Sequence, residues 1–302
     1  MMKKVLFGLS AILALFATSC QNDIESFGTS TDGTSVVTFS VETPELATRA
    51  FSDGTTATVL QYAVYEGETE LPDLTKSIAN GNAEEINISK KVELQLTTGN
   101  TYSVIFWAAA EGAPYAVDFA NKTMTVDYAT AVCNDENRDA FYARHTFTVN
   151  GKQTETVKLY RPFAQLNIGT NDYDASTDAG YTPVKSSVKV KNVYSTLDLF
   201  DGKVDGSTEA YYDYNAIPKN ETFPVDGYKY LSMNYLLVAS EKELVDIEFG
   251  YTETDATAGK TRIVGSVPVQ RNYRTNIFGQ LLTSDVDINI EIVPVYEGAY
   301  NN

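Results

Sequence analysis

The chain of 302 residues contains one histidine, one tryptophan and two cysteines. A single histidine, His145 in "ARHTFTV", supports neither a multi-histidine metal site nor a Ser-His-Asp triad, and reads as a structural or surface residue on a strand. Positive charge is also scarce: 23 Lys and Arg stand against 40 Asp and Glu, a formal net charge of −17. Such a balance excludes nucleic acid and anionic lipid surfaces as partners. No apolar run approaches the about 20 residues of a membrane-spanning helix. Long amphipathic helix patterns are missing too, and the best short candidate is Asn134 to Ala143. Within it, Asp135, Glu136 and Asp139 fail the spacing of a calcium loop and read as a solvated helix start. Forty acids supply many accidental carboxylate pairs, so spacing alone gives no glycosidase signal. The chain therefore reads as non-enzymatic, with no metal or cofactor.

The N-terminus carries an address. Met1 to Lys4 are followed by an apolar run from Val5 to Phe16 and by the small residues of "ATSC", ending at Cys20. This resembles the bacterial lipoprotein signal, in which the cysteine is acylated and becomes the new N-terminus; an ordinary cleaved signal with an incidental cysteine is the alternative. "QNDIES" resembles the export tag with which some Gram-negative anaerobes send lipoproteins to the outer face of the outer membrane. Losing Lys3 and Lys4 takes the basic count from 23 to 21 against 40 acids, so the charge deepens from −17 to −19. If Cys20 carries lipid, Cys133 is the last thiol, a quiet one with no base nearby in sequence. Internal disulfides are then excluded, and stability must come from a large core.

What fills the chain is alternation with period two. In "VVTFSV", Val37, Phe39 and Val41 share one face, while Thr38 and Ser40 share the other. "TVLQYAVYE", "TYSVIFWAAA", "KYLSMNYLLVAS" and "DVDINIEIVPV" continue the theme, separated by turn clusters such as "TTGN", "VNGK" and "FDGK". The fold class is all-β, and the length calls for two tandem sandwiches. Pro162 interrupts a β-rich run, after which alternation restarts with Phe163, Gln165 and Asn167 opposite Ala164, Leu166 and Ile168. The expected organisation is a signal over 1–19, an acidic linker over 20–35, an N-terminal sandwich over 36–160 and a C-terminal sandwich over 161–302.

Three further stretches carry a family resemblance: the lone arginine of "ATRAFSDG", the central "RPFAQLNI" (Arg161 to Ile168) and the late "VQRNYRTNIFGQLLT" (Val269 to Thr283). Together with the lipoprotein signal, their order resembles the fimbrillins of type V pili across most of the chain. The resemblance implies two transthyretin-like Greek-key β-sandwich domains behind a lipid anchor. It also implies removal of the first strand by an Arg-specific protease, here between Arg49 and Ala50, and head-to-tail polymerisation with other pilus subunits by strand exchange. Release into a fimbrium and adhesion to a host or bacterial surface receptor are implied by the same resemblance.

The residues permit that assembly. A sandwich that loses its first strand, Val37, Phe39 and Val41 included, exposes an apolar groove and unpaired backbone groups. At the other end of the chain, Val286, Ile288, Ile290 and Ile292 alternate with Asp285, Asp287, Asn289 and Glu291 and offer substitute teeth. Burying four such side chains gains roughly 6 to 12 kcal/mol before association costs. Donor and acceptor at opposite ends would build a filament rather than a closed dimer. The same strand could instead be the last of its own sheet, leaving Pro294 to Asn302 as a shorter donor arm. The rival reading is a glycan-binding surface lipoprotein. Tyr211, Tyr212 and Tyr214 in a surface loop would then offer aromatic platforms, with Trp107 as a further candidate, although "VIFWAAA" looks like core.

Overall fold

The computed structural model describes residues 33–43, 51, 53–79, 90–253, 259–283 and 288–294. Eighteen strands dominate it. The first ten are β1 (Thr34–Glu42), β2 (Val59–Glu66), β3 (Thr69–Glu70), β4 (Lys76–Ala79), β5 (Lys90–Thr97), β6 (Thr101–Ala109), β7 (Tyr115–Asp118), β8 (Thr123–Val126), β9 (Ala140–Thr148) and β10 (Gln153–Lys158). After Arg161 and Pro162 come β11 (Phe163–Thr170), a six-residue helix α1 (Tyr173–Asp178), β12 (Lys185–Asp198), β13 (Val204–Ala216) and β14 (Lys229–Leu237). β15 (Glu243–Thr252), β16 (Lys260–Val269), β17 (Arg274–Gly279) and β18 (Ile288–Val293) complete the chain. The all-β expectation holds.

Strand order repeats. In the first part of the chain β1 lies between β10 and β5, while β2 pairs with β6 and β4, and β6 pairs with β9. Later, β11 lies between β17 and β14, while β12 pairs with β15 and β13, and β15 pairs with β16. In both cases the first strand runs parallel to one neighbour and antiparallel to the other. The repeat is incomplete: β18 is added outside β17, whereas β10 ends its sheet, and β8 with β7 extends the sheet of β12.

Three apolar layers result from the alternation. Val37, Phe39 and Leu94 of the first sheet meet Tyr62, Val104 and Phe106 of the second. Leu166, Ile168 and Ile277 likewise meet Val190, Ile247 and Phe249. The third layer uses the opposite faces of the same strands: Ala63, Tyr65, Ile105 and Trp107 pack with Phe163, Met233, Tyr235 and Leu237. This double use explains why "TYSVIFWAAA" is apolar almost without a break, since every residue of β6 after Thr101 is buried. Trp107 is core, at 2% exposure.

Residues 110–139, between β6 and β9, cross from the first set of sheets to the second. β8 pairs with β12 over Thr196–Asp198, and Val132 bridges to Asp213 on β13. The short helix expected over Asn134–Ala143 is only a 3-10 turn at Glu136–Arg138, capped by the side chain of Asp135, which accepts from Asn137 N. Asp139, read from sequence as solvated, is fully buried. There it meets the equally buried Arg161, whose Nε and Nη2 donate to Asp139 Oδ1 and Oδ2, each at 2.6 Å. The guanidinium also lies over the Phe141 ring, 4.5 Å from its centroid. Through this pair the end of the crossing segment is tied to the junction between β10 and β11.

Removing one member of such a pair strands the other charge in the interior. Asp139→Ala is therefore expected to lose about 3–5 kcal/mol in urea unfolding. The double replacement Asp139→Leu with Arg161→Met should recover most of that loss. A single variant within about 1 kcal/mol of the parent chain would show that the pair does not hold the junction.

Candidate strand-exchange interface

β1 is held on both edges. It pairs in parallel with β10 from Val37↔Gln153 to Glu42↔Lys158, and antiparallel with β5 from Thr34↔Thr97 to Val41↔Lys90. Val37 and Phe39 are fully buried and Val41 is 7% exposed. The Phe39 ring meets Phe106 and Phe147 with centroids 5.6 and 5.1 Å apart, and turns its edge to His145 at 6.4 Å. His145 in turn stacks on Phe147 and shares a 2.9 Å hydrogen bond with Glu155 on β10, so its role here is structural. Burial of the three teeth of β1 contributes roughly 5–9 kcal/mol.

Cys20, Arg49 and Ala50 lie outside the described residues, but both flanks of the arginine are defined. β1 ends at Glu42, and Phe51 is buried, edge-on to Tyr230 at a centroid distance of 5.0 Å. Beyond it Asp53 Oδ1 accepts from Thr55 N and Oγ1, and Thr56 Oγ1 donates to the Glu136 carbonyl at 2.8 Å. The chain after Ala50 is thus anchored independently of β1. The apolar character of Phe51 is plain in the sequence, but its anchoring is not, because the partner Tyr230 lies far along the chain.

At the other end, β18 pairs antiparallel with β17 of its own chain, from Arg274↔Val293 to Gly279↔Ile288. Val286 lies outside the described residues. Ile288 is half-buried against the second core, Ile290 is 38% exposed and Ile292 is half-buried. The teeth of β18 are therefore far less covered than those of β1. Leu281, Leu282 and Thr283 lead toward this strand, and the last two are fixed by Asp172 just before α1. Asp172 Oδ2 accepts from Leu282 N at 3.1 Å and from both Thr283 N and Thr283 Oγ1 at 2.7 Å, and Thr170 Oγ1 donates to Oδ1. Burial works against charge on Asp172, but these donors together outweigh it and hold the carboxyl below its ordinary range.

Two of the three stretches that carry the sequence resemblance are neighbours in space. "RPFAQLNI" forms β11 and "RTNIFG" forms β17, paired in parallel from Gln165↔Arg274 to Thr170↔Gly279. On their shared outer face Arg274 Nε donates to Gln165 Oε1, Gln165 Nε2 to Asn167 Oδ1, and Asn167 Nδ2 to Asn276 Oδ1, at 2.9–3.0 Å. Arg271, also buried, donates to the carbonyls of Val238 and Gly202.

The tyrosines read as a loop lie on strand β13. Alternation turns Tyr212 into the core, where its hydroxyl donates to the Tyr235 carbonyl, and leaves Tyr211 46% exposed. With Tyr212 and Trp107 both in the core, a shared aromatic platform does not form. Cys133 is a buried free thiol, pushed up to about 12 by desolvation. Among the described residues no group of His, Cys, Asp and Glu could hold a metal ion, and no helix is long and apolar enough to cross a membrane.

Several solved structures share this architecture. A candidate adhesin from Bacteroides thetaiotaomicron superposes with a TM-score of 0.52 at 9% identity, covering 87% of this chain and 96% of that one. A candidate polysaccharide-binding protein from the same species gives 0.51 at 12%, covering 87% and 99%. The tip fimbrial protein Mfa3 of Porphyromonas gingivalis, with a C-terminal truncation, gives 0.50 at 10%, covering 86% and 99%. The chain thus has the fold of Bacteroidales fimbrial and adhesin proteins. Over residues 29–302 it matches the model of a family of unknown function, DUF6562, and belongs to that family. No curated protein matches its sequence.

The depressed pKa of Asp172 has a definite sign. A carboxyl lowered in the folded state stabilises fully above the ordinary Asp value of about 3.9, and that contribution is lost as pH falls through the folded value. Hydrogen exchange at Leu282 and Thr283 is expected to quicken on acidification below about pH 3.9, before β11 and β17 open. Asp172→Asn should show fast exchange there at neutral pH and no further acid step. Equal acid sensitivity in the variant would rule out this carboxylate as the clamp.

Proposed function

We propose that the chain is a structural subunit of a surface fimbria, serving adhesion and assembling by strand exchange after proteolysis at Arg49. It would reach the cell surface as an outer-membrane lipoprotein acylated on Cys20. It would act through two sandwich domains spanning 36–160 and 161–302, with neighbouring subunits, identical or different, as its partners. The observation that carries this reading is the position of β1. It is the first strand among the described residues, it lies mid-sheet between β5 and β10, and its three apolar teeth fill the core. Its departure would open a groove with an unpaired backbone edge on each side, a surface that a sheet cannot leave unfilled.

Two further features favour exchange. Phe51 and Thr56 hold the chain downstream of Ala50, so a cut at Arg49 would release β1 without unravelling β2 or the strands after it. β18 has one neighbour at its sheet edge and half-exposed teeth, whereas the vacated groove offers two neighbours and full burial. Moving from edge to centre is therefore downhill in both hydrogen bonding and apolar burial. The structural neighbours, adhesins and a fimbrial tip protein among them, agree with this role.

Digestion of the full chain with an Arg-specific protease is expected to give a new N-terminus at Ala50 and ladders that survive mild detergent. Arg49→Ala should give neither, and a synthetic peptide of residues 34–42 should slow ladder formation at least tenfold by refilling the groove. Cut protein that stays monomeric would rule out a stalk subunit that polymerises with itself.

A further inference from the structure

A cleft of about 440 Å³ opens beside β13, away from β1 and β18, between the crossing segment at residues 126–131 and the outward face of the β12–β13 pair. Its size falls within the about 300–1,000 Å³ usual for small-molecule sites. Glu209, Tyr211 and Asp213 all project outward on this strand, because the intervening Ala210 and Tyr212 point into the core. Ser195 and Thr208 add hydroxyls to the lining, and Tyr128 closes the far side. We propose that this cleft binds an uncharged saccharide, a chain segment of one or two sugar rings.

The chemistry of the lining selects that class. Tyr211 is one of the few large exposed hydrophobic side chains among the described residues and offers a ring against which the C–H face of a pyranose can lie. Asp213 is oriented in advance: its Oδ1 accepts from Tyr214 N at 2.7 Å and from Tyr211 Oη at 3.4 Å. A carboxylate held beside an aromatic ring is an acceptor for ring hydroxyls, and charge-assisted hydrogen bonds of this kind are the strong ones. Anionic sugars are disfavoured by the Asp213 carboxylate and by the net charge of −17. A cationic ligand finds a single carboxylate, Asp213, because Lys189 Nζ lies 2.8 Å from Glu209 Oε1 and already neutralises it. An added peptide strand finds no free edge at Asp213, whose backbone is bonded to Ala131 and Cys133. Hydroxyl-rich, uncharged ligands remain.

The crossing segment also gives the site rigidity. Leu237 N donates to Tyr128 Oη, and that hydroxyl donates to the Tyr194 carbonyl at 3.1 Å, so the far wall is fixed to two strands. A preformed cleft binds without the cost of ordering its walls. The site uses no residue of the strand-exchange interface, so adhesion and assembly can be separated by mutation.

The test is electrophoresis of the full chain through gels containing galactomannan, glucomannan, xyloglucan or amylopectin, with polygalacturonate as the anionic comparison. At least one neutral polysaccharide should retard the chain and polygalacturonate should not. Tyr211→Ala should weaken that retardation at least tenfold and Asp213→Asn at least threefold, with urea midpoints unchanged. Ile263→Ser, exposed on β16 outside the cleft, should leave it intact. The proposal is overturned if no neutral gel retards the chain, if Tyr211→Ala migrates as the parent does, or if polygalacturonate retards it most.

Discussion

The pair between Arg161 and Asp139 is the constraint on which the remaining arrangement rests. Both side chains are buried, both are charged, and the bidentate geometry satisfies both carboxylate oxygens of Asp139. Burying these charges is costly, and the cost is offset only where geometry is fixed. That requirement fixes three things together. It sets the start of β11 just after Arg161, the end of the crossing segment at Asp139, and the seat of Phe141 beneath the guanidinium. Asn272 joins the same knot, since its side chain accepts from Arg161 N and its backbone N–H donates to the Phe163 carbonyl. The tight turn that precedes β17 is thereby locked to the point where β11 begins.

Such a knot explains why "RPFAQLNI" and "RNYRTNIFG" stand out in the sequence while their reason does not. Each begins with an arginine that becomes buried, and the first then alternates polar Gln165 and Asn167 with apolar Ala164, Leu166 and Ile168. In an ordinary strand the polar set would face water. Here every residue of β11 is buried, and the polar set of β11 pairs with that of β17 across a parallel ladder. Their separation along the chain is 109 residues, so only the folded topology brings them together. The existence of strands is legible for a simpler reason: Val37, Phe39 and Val41 alternate with polar residues, and all three are buried. The buried Trp107 is readable from its apolar neighbours.

Sequence is least informative wherever the outcome depends on the crossing segment. The acids around Asp135 resemble a helix start because N-caps and solvated turns use the same residue types. The segment in fact contributes one capped 3-10 turn, one buried carboxylate and a strand that joins a distant sheet. Tyr211, Tyr212 and Tyr214 look like loop residues because Asp and Asn surround them. On β13 the same polar neighbours are simply the outward half of an alternating strand, which makes Tyr212 core and Tyr211 a surface ring. Composition indicates a turn, whereas period indicates a strand, and where the two conflict the long pairing of β12 with β13 decides.

The repeated strand order sharpens the meaning of β1. β1 and β11 occupy the same place in their sheets, each parallel to one neighbour and antiparallel to the other. They differ in what their outward faces do. On β11 that face is sealed by the third apolar layer and by the ladder of Gln165 and Asn167, and Arg161 pins its start. On β1 the outward residues Val36, Thr38 and Ser40 are exposed or half-exposed, and no buried side chain locks them. Extracting β11 would break two cores and a hydrogen-bonded network, whereas extracting β1 opens only one core. The chain therefore contains two first strands of equal topology and unequal commitment. The less committed one is succeeded at Phe51 by an anchor that does not depend on it, since Phe51 packs edge-on to Tyr230 within the third apolar layer.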